Sequence, residues 1–301
     1  ASERFGEDGL RPIRAVRFSA QLGFAIDEDT LAAIPGALPV TAKVAKERVR
    51  DELVKLVLSP APSAGLRFME SAGLLGLILP ELYACRGIEQ KGRHEFDVLD
   101  HLYAACDASP RASLEIRLAA LFHDVGKPRV RATDAEGNFT FYNHEIVSAE
   151  MTGAIMNRLR FPLKTISTVV HLVKQHMFHY EPNWTDAAVR RFIVRAGEEH
   201  IDQLFALRRA DACAITGILT EPAHLAEFTD RIRVVTEASH AFSLKDLSLN
   251  GKDLIGLGIP PGPMTGLILK ELLEAVLDDP ELNTRERLSE IAVALRDART
   301  V

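Results

Sequence analysis

Apolar positions recur at three- and four-residue steps along most of the chain, the pattern of helices packed against one another. Residues 10–23 place Ile13, Val16 and Ala20 on one side; a turn at Gly23–Asp27 and a short helix over DEDTLAAI follow. Thr41 reads as the N-cap of a longer helix reaching Leu58, with Val49, Leu53, Leu56 and Val57 at core-facing spacing. Ser59-Pro60 ends it, and another apolar helical run covers 63–79. Pro80 and the charged stretch EQKGRHE (89–95) set a first boundary. Helices are then predicted over 97–107, 112–124, 144–160, 163–178, 186–197 and 199–216, with a loop or short hairpin turning at Glu136-Gly137-Asn138. Glu221-Pro222 marks a second boundary; beyond it helices fall at 222–240, 251–257, 264–278 and 284–299, with a Gly/Pro turn at Gly256–Pro263. The predicted fold is all-α: an N-terminal helical segment over 1–90, a central bundle over 91–218 and a helical tail over 219–301.

Composition narrows the classes. The 301 residues are 47% hydrophobic and 26% charged, ordinary for a globular protein of two or three small domains. No stretch approaches the roughly 18 apolar residues of a membrane span, and the acidic, Arg-containing start shows no secretory h-region, so a cytoplasmic protein without a membrane partner is expected. Cys85, Cys106 and Cys213 are odd in number and widely spaced, which argues against a disulfide framework. A net charge of −6 supplies no global field for nucleic acid, so any RNA contact must come from a local basic face.

The candidate chemistry begins at the end of the apolar helix LEIRLAALFHD, where His123 and Asp124 stand just before Val-Gly-Lys-Pro. His101 lies on the preceding helix, and short-linked helices pack antiparallel, which brings these residues together. Asp211 lies far down the chain in RRADACA, while His144 (FYNHE) and His176 (VKQHMFH) fall where a second ion could be held. Imidazoles and carboxylates together suit divalent ions such as Mn, Fe, Co, Ni, Zn or Mg. This H…HD…D pattern resembles the HD superfamily of metal-dependent phosphohydrolases over about residues 95–215. The resemblance implies His101, His123, Asp124 and Asp211 as ligands, with His144 and His176 as extra histidines of a two-metal site. Such a metal polarises a phosphoryl oxygen and activates water, Asp124 and Lys127 being the residues set closest to that chemistry. Lys127 reads equally well as a solvated loop lysine, and His94, His171 and His179 as surface or capping histidines.

Upstream, EDGLRPIRAVRFSAQLGF sets Arg11, Arg14 and Arg17 at steps of three after Asp8. An Asp–Arg pair offers a planar hydrogen-bonding edge able to read a nucleobase. The string resembles the EDxxR motif and neck helix of class II tRNA nucleotidyltransferases (CCA-adding enzymes) and bacterial poly(A) polymerases. That implies Asp8 and Arg11 as templates for incoming CTP or ATP, with Arg14 and Arg17 nearby. KVAKERVRDELVKLVLS (43–59) resembles the next neck motif, its polar side Lys43, Lys46, Glu47 and Arg50 bracing the active site or RNA. Residues 247–284 resemble the body and tail of bacterial members that carry an HD domain; Lys252, Gly258 and Gly262 are the tail's RNA-contact candidates, alongside Gly256 and Lys270. A tight helix–helix turn explains those glycines equally well, and Trp184 reads as a packing anchor before a base-stacking group.

The resemblance runs over the chain in family order: neck, HD domain, tail. The family's catalytic head precedes the neck, with a Gly-rich phosphate loop and a sheet-borne DxD pair holding Mg. The sequence begins at Ala1, close before the neck motif, and places no DxD pair on a sheet, so nucleotidyl transfer is expected of the parent protein and not of this chain. The expected function is that of a tRNA nucleotidyltransferase or poly(A) polymerase acting on RNA 3′ ends, with an HD module hydrolysing phosphoesters using Mn, Co, Ni or Mg. An RNA-binding scaffold with a metal-free HD fold, and a stand-alone HD nucleotide phosphohydrolase, stay open beside it, as do a homodimer and the choice between CCA, CC-only and A-only addition.

Overall fold

The structure, a computed structural model, describes residues 1–89, 97–218, 222–238 and 243–299. Helices α1 (Ser2–Glu7), α2 (Arg11–Leu22), α3 (Glu28–Thr41), α4 (Lys46–Val57), α5 (Pro62–Ser71), α6 (Leu74–Ile78) and α7 (Pro80–Tyr83) open the chain. Then come α8 (Val98–Ala108), α9 (Leu114–Phe122), the short α10 (Lys127–Val130), strands β1 (Ala132–Thr133) and β2 (Phe139–Thr140), α11 (His144–Arg158) and α12 (Leu163–Gln175). The chain closes with α13 (Asp186–Ala196), α14 (Ile201–Thr216), α15 (Ala223–Ala238), α16 (Gly251–Gly256), α17 (Pro263–Asp278) and α18 (Arg285–Asp297). Strand among the described residues is confined to the β1–β2 hairpin, so the architecture is all-α as predicted.

Two compact units result: Ala1–Phe178 with Asp202–Pro222, and His179–Ile201 with Ala223–Val301. The helices on either side of residue 90 share the first unit. Arginines bond the two parts together. Buried Arg117 of α9 donates from Nη1 to the carbonyls of Val57 and Ser59, each at 2.6 Å, just past α4. Arg158 at the end of α11 donates to the Ile78 carbonyl at 3.1 Å and to Glu81 at 2.6 Å. Arg50 of α4 donates to the carbonyl of Arg160. Helix C-terminal carbonyls carry partial negative charge and lack intrahelical donors, so a buried guanidinium satisfies both needs. In the second unit α13 packs with α15 and α17, and Arg190 donates to the Leu277 and Asp278 carbonyls at 2.7 and 3.1 Å. Its tail core is Leu249, Leu254, Ile268, Leu272, Val276 and Leu288 with their neighbours.

Two local readings are corrected. The helix after Gly23–Asp27 is not short; α3 runs through Pro35 and Pro39 to Thr41. Thr41 therefore ends a helix and does not cap the next one, which starts at Lys46 after Ala45. Its hydroxyl instead donates to the Gly9 carbonyl at 2.9 Å. The chains are so close there that a Cβ on Gly9 would lie 2.6 Å from the Val40 carbonyl. The string Asp27-Glu28-Asp29, which spells DxD, caps α3, with Asp27 accepting the Thr30 N–H at 3.0 Å.

Candidate metal centre

The site is built by two helical hairpins and one long helix. Asp97 caps α8, accepting the Asp100 N–H at 2.8 Å, which puts His101 near that helix's start. Ser113 caps α9, whose residues Ile116–Phe122 are all buried, and the helix delivers His123 and Asp124 at its end. Antiparallel packing of α8 and α9 sets His101 Nε2 3.1 Å from His123 Nε2. The second hairpin repeats the arrangement: His144 opens α11, His176 closes α12, and their rings lie 5.3 Å apart. Asp211, from α14, completes the cluster with Oδ1 3.1 Å from His101 Nε2 and 3.5 Å from His123 Nε2.

Asp124 joins the two halves. Its Oδ2 faces the Nε2 atoms of His123 at 3.4 Å and His101 at 3.7 Å; its Oδ1 faces those of His144 at 3.1 Å and His176 at 3.8 Å. Of these six residues all but Asp211 are buried, and the Asp211 side chain is 16% exposed. Two groups, His101–His123–Asp124 and Asp124–His144–His176, bring ligand atoms within 4.8 Å of one another.

The donor set can be tested for a cation. His123 Nδ1 lies 2.9 Å from the Ala120 carbonyl, His144 Nδ1 2.8 Å from Phe141's and His176 Nδ1 2.7 Å from Val173's. Carbonyls only accept, so each Nδ1 carries a proton, and each ring in its neutral form turns an Nε2 lone pair inward. Those lone pairs meet carboxylate oxygens, and buried Asp124 Oδ1 has no hydrogen bond. Acceptors facing acceptors in a buried pocket call for positive charge between them. Protonation shows the same demand. Burial opposes charge on His123, yet Asp124 and Asp211 outweigh it and hold the imidazole up to about 10. His176, pushed down by burial and by charged His123, sits at about 3 and stays neutral. Burial would raise the carboxyls of Asp124 and Asp211, but their cationic neighbours hold both well below the usual range. The residues fit one or two divalent ions.

Lys127 is not a solvated loop lysine. Its Nζ lies 2.6 Å from Asp124 Oδ2 and 5.5 Å from the centre of the Phe141 ring. Gly126 makes this approach possible: its N–H donates to Ser148 Oγ at 2.9 Å, and a Cβ there would lie 2.6 Å from the Ser148 nitrogen. Gly126→Ala is expected to push α10 off α11 and pull Asp124 from His144. Metal content should fall and the melting temperature should drop, by about 1–3 kcal/mol of stability in a chemical denaturation series.

The neck residues disperse. Asp8 Oδ1 accepts the Leu10 N–H at 3.0 Å and its Oδ2 takes Arg48 at 2.9 Å, while Arg11 pairs with Glu7. Arg14 is exposed, but Arg17 does not share its side: it is buried, donating from Nε to Glu52 at 2.9 Å across α2 and α4. Arg17 is thus a packing residue of the neck, a correction forced by the apolar face of α2 on which it falls. Lys43 and Lys46 are exposed; Arg50 is committed to Asp51 and Arg160. In the tail, exposed Lys252 opens α16, Gly262 (φ 124°) precedes α17, and Gly258 (φ 81°) passes the Arg296 side chain. Lys252, Gly262, Thr265 and Gly266 line one shallow groove. Trp184 sets its edge against Tyr180 and Phe228, a packing anchor. His179 pairs with Glu181 at the surface, and His94 lies outside the described residues. Arg48, Glu52 and Arg208, which pairs with Asp211 at 3.7 Å, carry no sequence signal of their own beyond sitting beside motif residues.

Comparison with known proteins agrees with this arrangement. Residues 23–85 match the family described as a probable RNA- and SrmB-binding site of polymerase A, and residues 92–216 match the HD domain. The chain is 38% identical over 289 residues to a CC-adding tRNA nucleotidyltransferase of Thermus thermophilus, covering 91% of this chain and 63% of that one. It is 37% identical over 283 residues to an A-adding tRNA nucleotidyltransferase of Deinococcus radiodurans, covering 89% and 64%. It therefore spans 63% and 64% of the length of these two curated relatives. The crystal structure of a Bacillus stearothermophilus CCA-adding enzyme in complex with CTP shares the fold, with a TM-score of 0.67 at 23% identity over 99% of this chain and 64% of that chain.

Proposed function

This chain belongs to the tRNA nucleotidyltransferase and poly(A) polymerase family, as its neck, HD domain and tail portion, and from that premise we propose two activities for the protein it represents. One is nucleotide addition to the 3′ end of tRNA or a related RNA, with CTP and ATP as substrates and Mg as the ion of the transfer site. Asp8 and Arg11 serve as the nucleotide-reading pair, Arg48 holding the Asp8 carboxylate in place. Exposed Arg14, Lys43, Lys46 and Lys252, with the backbone at Gly258 and Gly262, meet RNA phosphates; Arg17 and Arg50 keep the neck rigid behind them. The protein works in the cytoplasm.

The other activity is metal-dependent phosphoester hydrolysis at the HD site, on RNA termini or nucleotides such as 2′,3′-cyclic phosphates. The observation that carries it is the pair of His/Asp groups meeting at Asp124 with their lone pairs inward. His101, His123, Asp124 and Asp211 would hold one ion and Asp124, His144 and His176 a second. Bound there, Mn, Co, Ni or Mg supplies Lewis-acid polarisation of the phosphoryl group and activation of water. Carbonyls at Ala120, Phe141 and Val173 fix the ring orientations, and Lys127 steadies the phosphate. The Lys127–Asp124 contact at 2.6 Å favours a second reading, a metal-free scaffold in which lysine is a counter-ion of Asp124.

Elemental analysis and a pH series separate the two. His123 must shed a proton to bind metal, while His176 and the two aspartates are already in the ligating state. Apparent affinity for Mn or Co should therefore rise by about tenfold per pH unit between 6 and 8 and keep rising towards 10, falling as pH drops. Hydrolysis of 2′,3′-cAMP should track occupancy. Protein purified without chelator that holds no metal and turns over nothing with Mn, Co or Ni leaves the scaffold.

A further inference from the structure

Arg208 lies on α14 one turn before Asp211, and its neighbours are peculiar for a structural arginine. Asp211 turns Oδ1 to His101 and His123, and Oδ2 to Arg208 Nη1 at 3.7 Å. That separation is an attraction of charges and too long for a hydrogen bond. Arg117 and Arg190, by contrast, spend their N–H groups on carbonyls at 2.6 to 3.3 Å. The guanidinium of Arg208 lies 5.7 Å above the Phe178 ring, which is itself stacked on Phe205 with centroids 5.5 Å apart. The fork thus has an aromatic floor, while 34% of the side chain reaches solvent. At the other carboxylate of the centre, Lys127 Nζ contacts Asp124 Oδ2 directly at 2.6 Å, with 13% of its side chain exposed. Each carboxylate of the His101–His123 group therefore carries one cation, one a point charge and the other a planar fork.

We propose that Arg208 is a second phosphate-gripping residue of the HD site, and that Lys127 and Arg208 together select ligands presenting at least two unesterified oxygens on one phosphorus. Phosphodiesters, 2′,3′-cyclic phosphates and phosphomonoesters meet that requirement. The inference rests on the metal-centre reading, which names the site but leaves its substrate recognition open. An ion pair too long for a hydrogen bond, with its arginine 34% exposed, contributes little to stability, so stability alone gives no reason for a fork kept on an aromatic floor beside this carboxylate.

The test uses the full chain and inorganic phosphate as probe, with and without Mn. Arg208→Ala is expected to weaken phosphate binding by about tenfold, as loss of a charge-assisted contact does. Arg208→Lys should restore part of it, since the charge returns and the fork does not. Metal content and melting temperature should match the parent chain in both variants. Phosphate affinity indifferent to Arg208, or absent altogether, overturns the proposal. So does a parallel loss of metal, which would make Arg208 only a positioning residue for Asp211. Arg208-dependent phosphate binding in a chain that hydrolyses no phosphoester leaves this inference standing and removes the hydrolytic function. Hydrolysis of 2′,3′-cAMP with a KM unchanged in Arg208→Ala does the reverse.

Discussion

Asp124→Ala is expected to remove both halves of the metal centre in one substitution. Its two oxygens face opposite hairpins: Oδ2 serves His101 and His123, Oδ1 serves His144 and His176. Its loss also takes the 2.6 Å partner from Lys127, leaving an ammonium close to where a divalent ion should sit. Lost ligation and new repulsion act in the same direction. Hydrolysis of 2′,3′-cAMP should fall by at least about a thousandfold, since the activation a metal supplies is several kcal/mol of transition-state stabilisation. Elemental analysis should find neither ion, whereas His176→Ala should spare the His101–His123 half. RNA binding should persist, because the exposed basic residues of neck and tail are untouched. Full metal retention in Asp124→Ala would refute the shared-carboxylate arrangement.

Glu52→Ala should destabilise the first unit by about 3 kcal/mol or more, the cost of leaving a buried charge uncompensated. Arg17 and Glu52 are 8% and 7% exposed as side chains and tie α2 to α4 at 2.9 Å. Lys55 also reaches Glu52 at 2.9 Å, but from a half-exposed position that cannot follow the arginine inward. Without Glu52, Arg17 keeps, among the described residues, Gln21 and its place over the Phe18 ring, neither of which supplies negative charge. Replacing both partners with apolar residues, as in Arg17→Met with Glu52→Leu, should cost less than Glu52→Ala alone. Urea titrations of the three variants measure this. Additive losses would mean that the pair does not act as one unit. Because α2 and α4 also carry Arg11, Arg14 and Arg48, the same variant should loosen the nucleotide-reading end of the neck.

Legibility followed the range of the interactions. α8 and α9, whose apolar stripes and side-chain caps (Asp97 and Ser113) belong to one element, appear close to their predicted bounds. The errors came where contacts from elsewhere override local signals. Thr41 has the side chain of an N-cap, but its hydroxyl goes to Gly9, 32 residues away. Two prolines argue against a long α3, yet burial of Ile34 and Ala37 carries the helix through them. Steps of three put Arg17 beside Arg14, but the apolar stripe of α2 takes Arg17 inward to Glu52.

The sequence by itself determined the inventory of the buried His/Asp cluster. His and Asp are scarce on apolar helices, so His101, His123, Asp124, His144, His176 and Asp211 announce a polar site in a helical core, and helix length places a histidine at the start or the end of each hairpin arm. It could not say which oxygen faces which ring, that Asp124 faces two groups, or that Lys127 and Arg208 each stand on a carboxylate of the cluster. Those facts depend on the packing of α8–α9 against α11–α12 and on α14 arriving from far along the chain. Spacing encodes what one helix presents; only the assembled core decides what that face meets, because burial and charge pairing are settled by neighbours tens of residues distant.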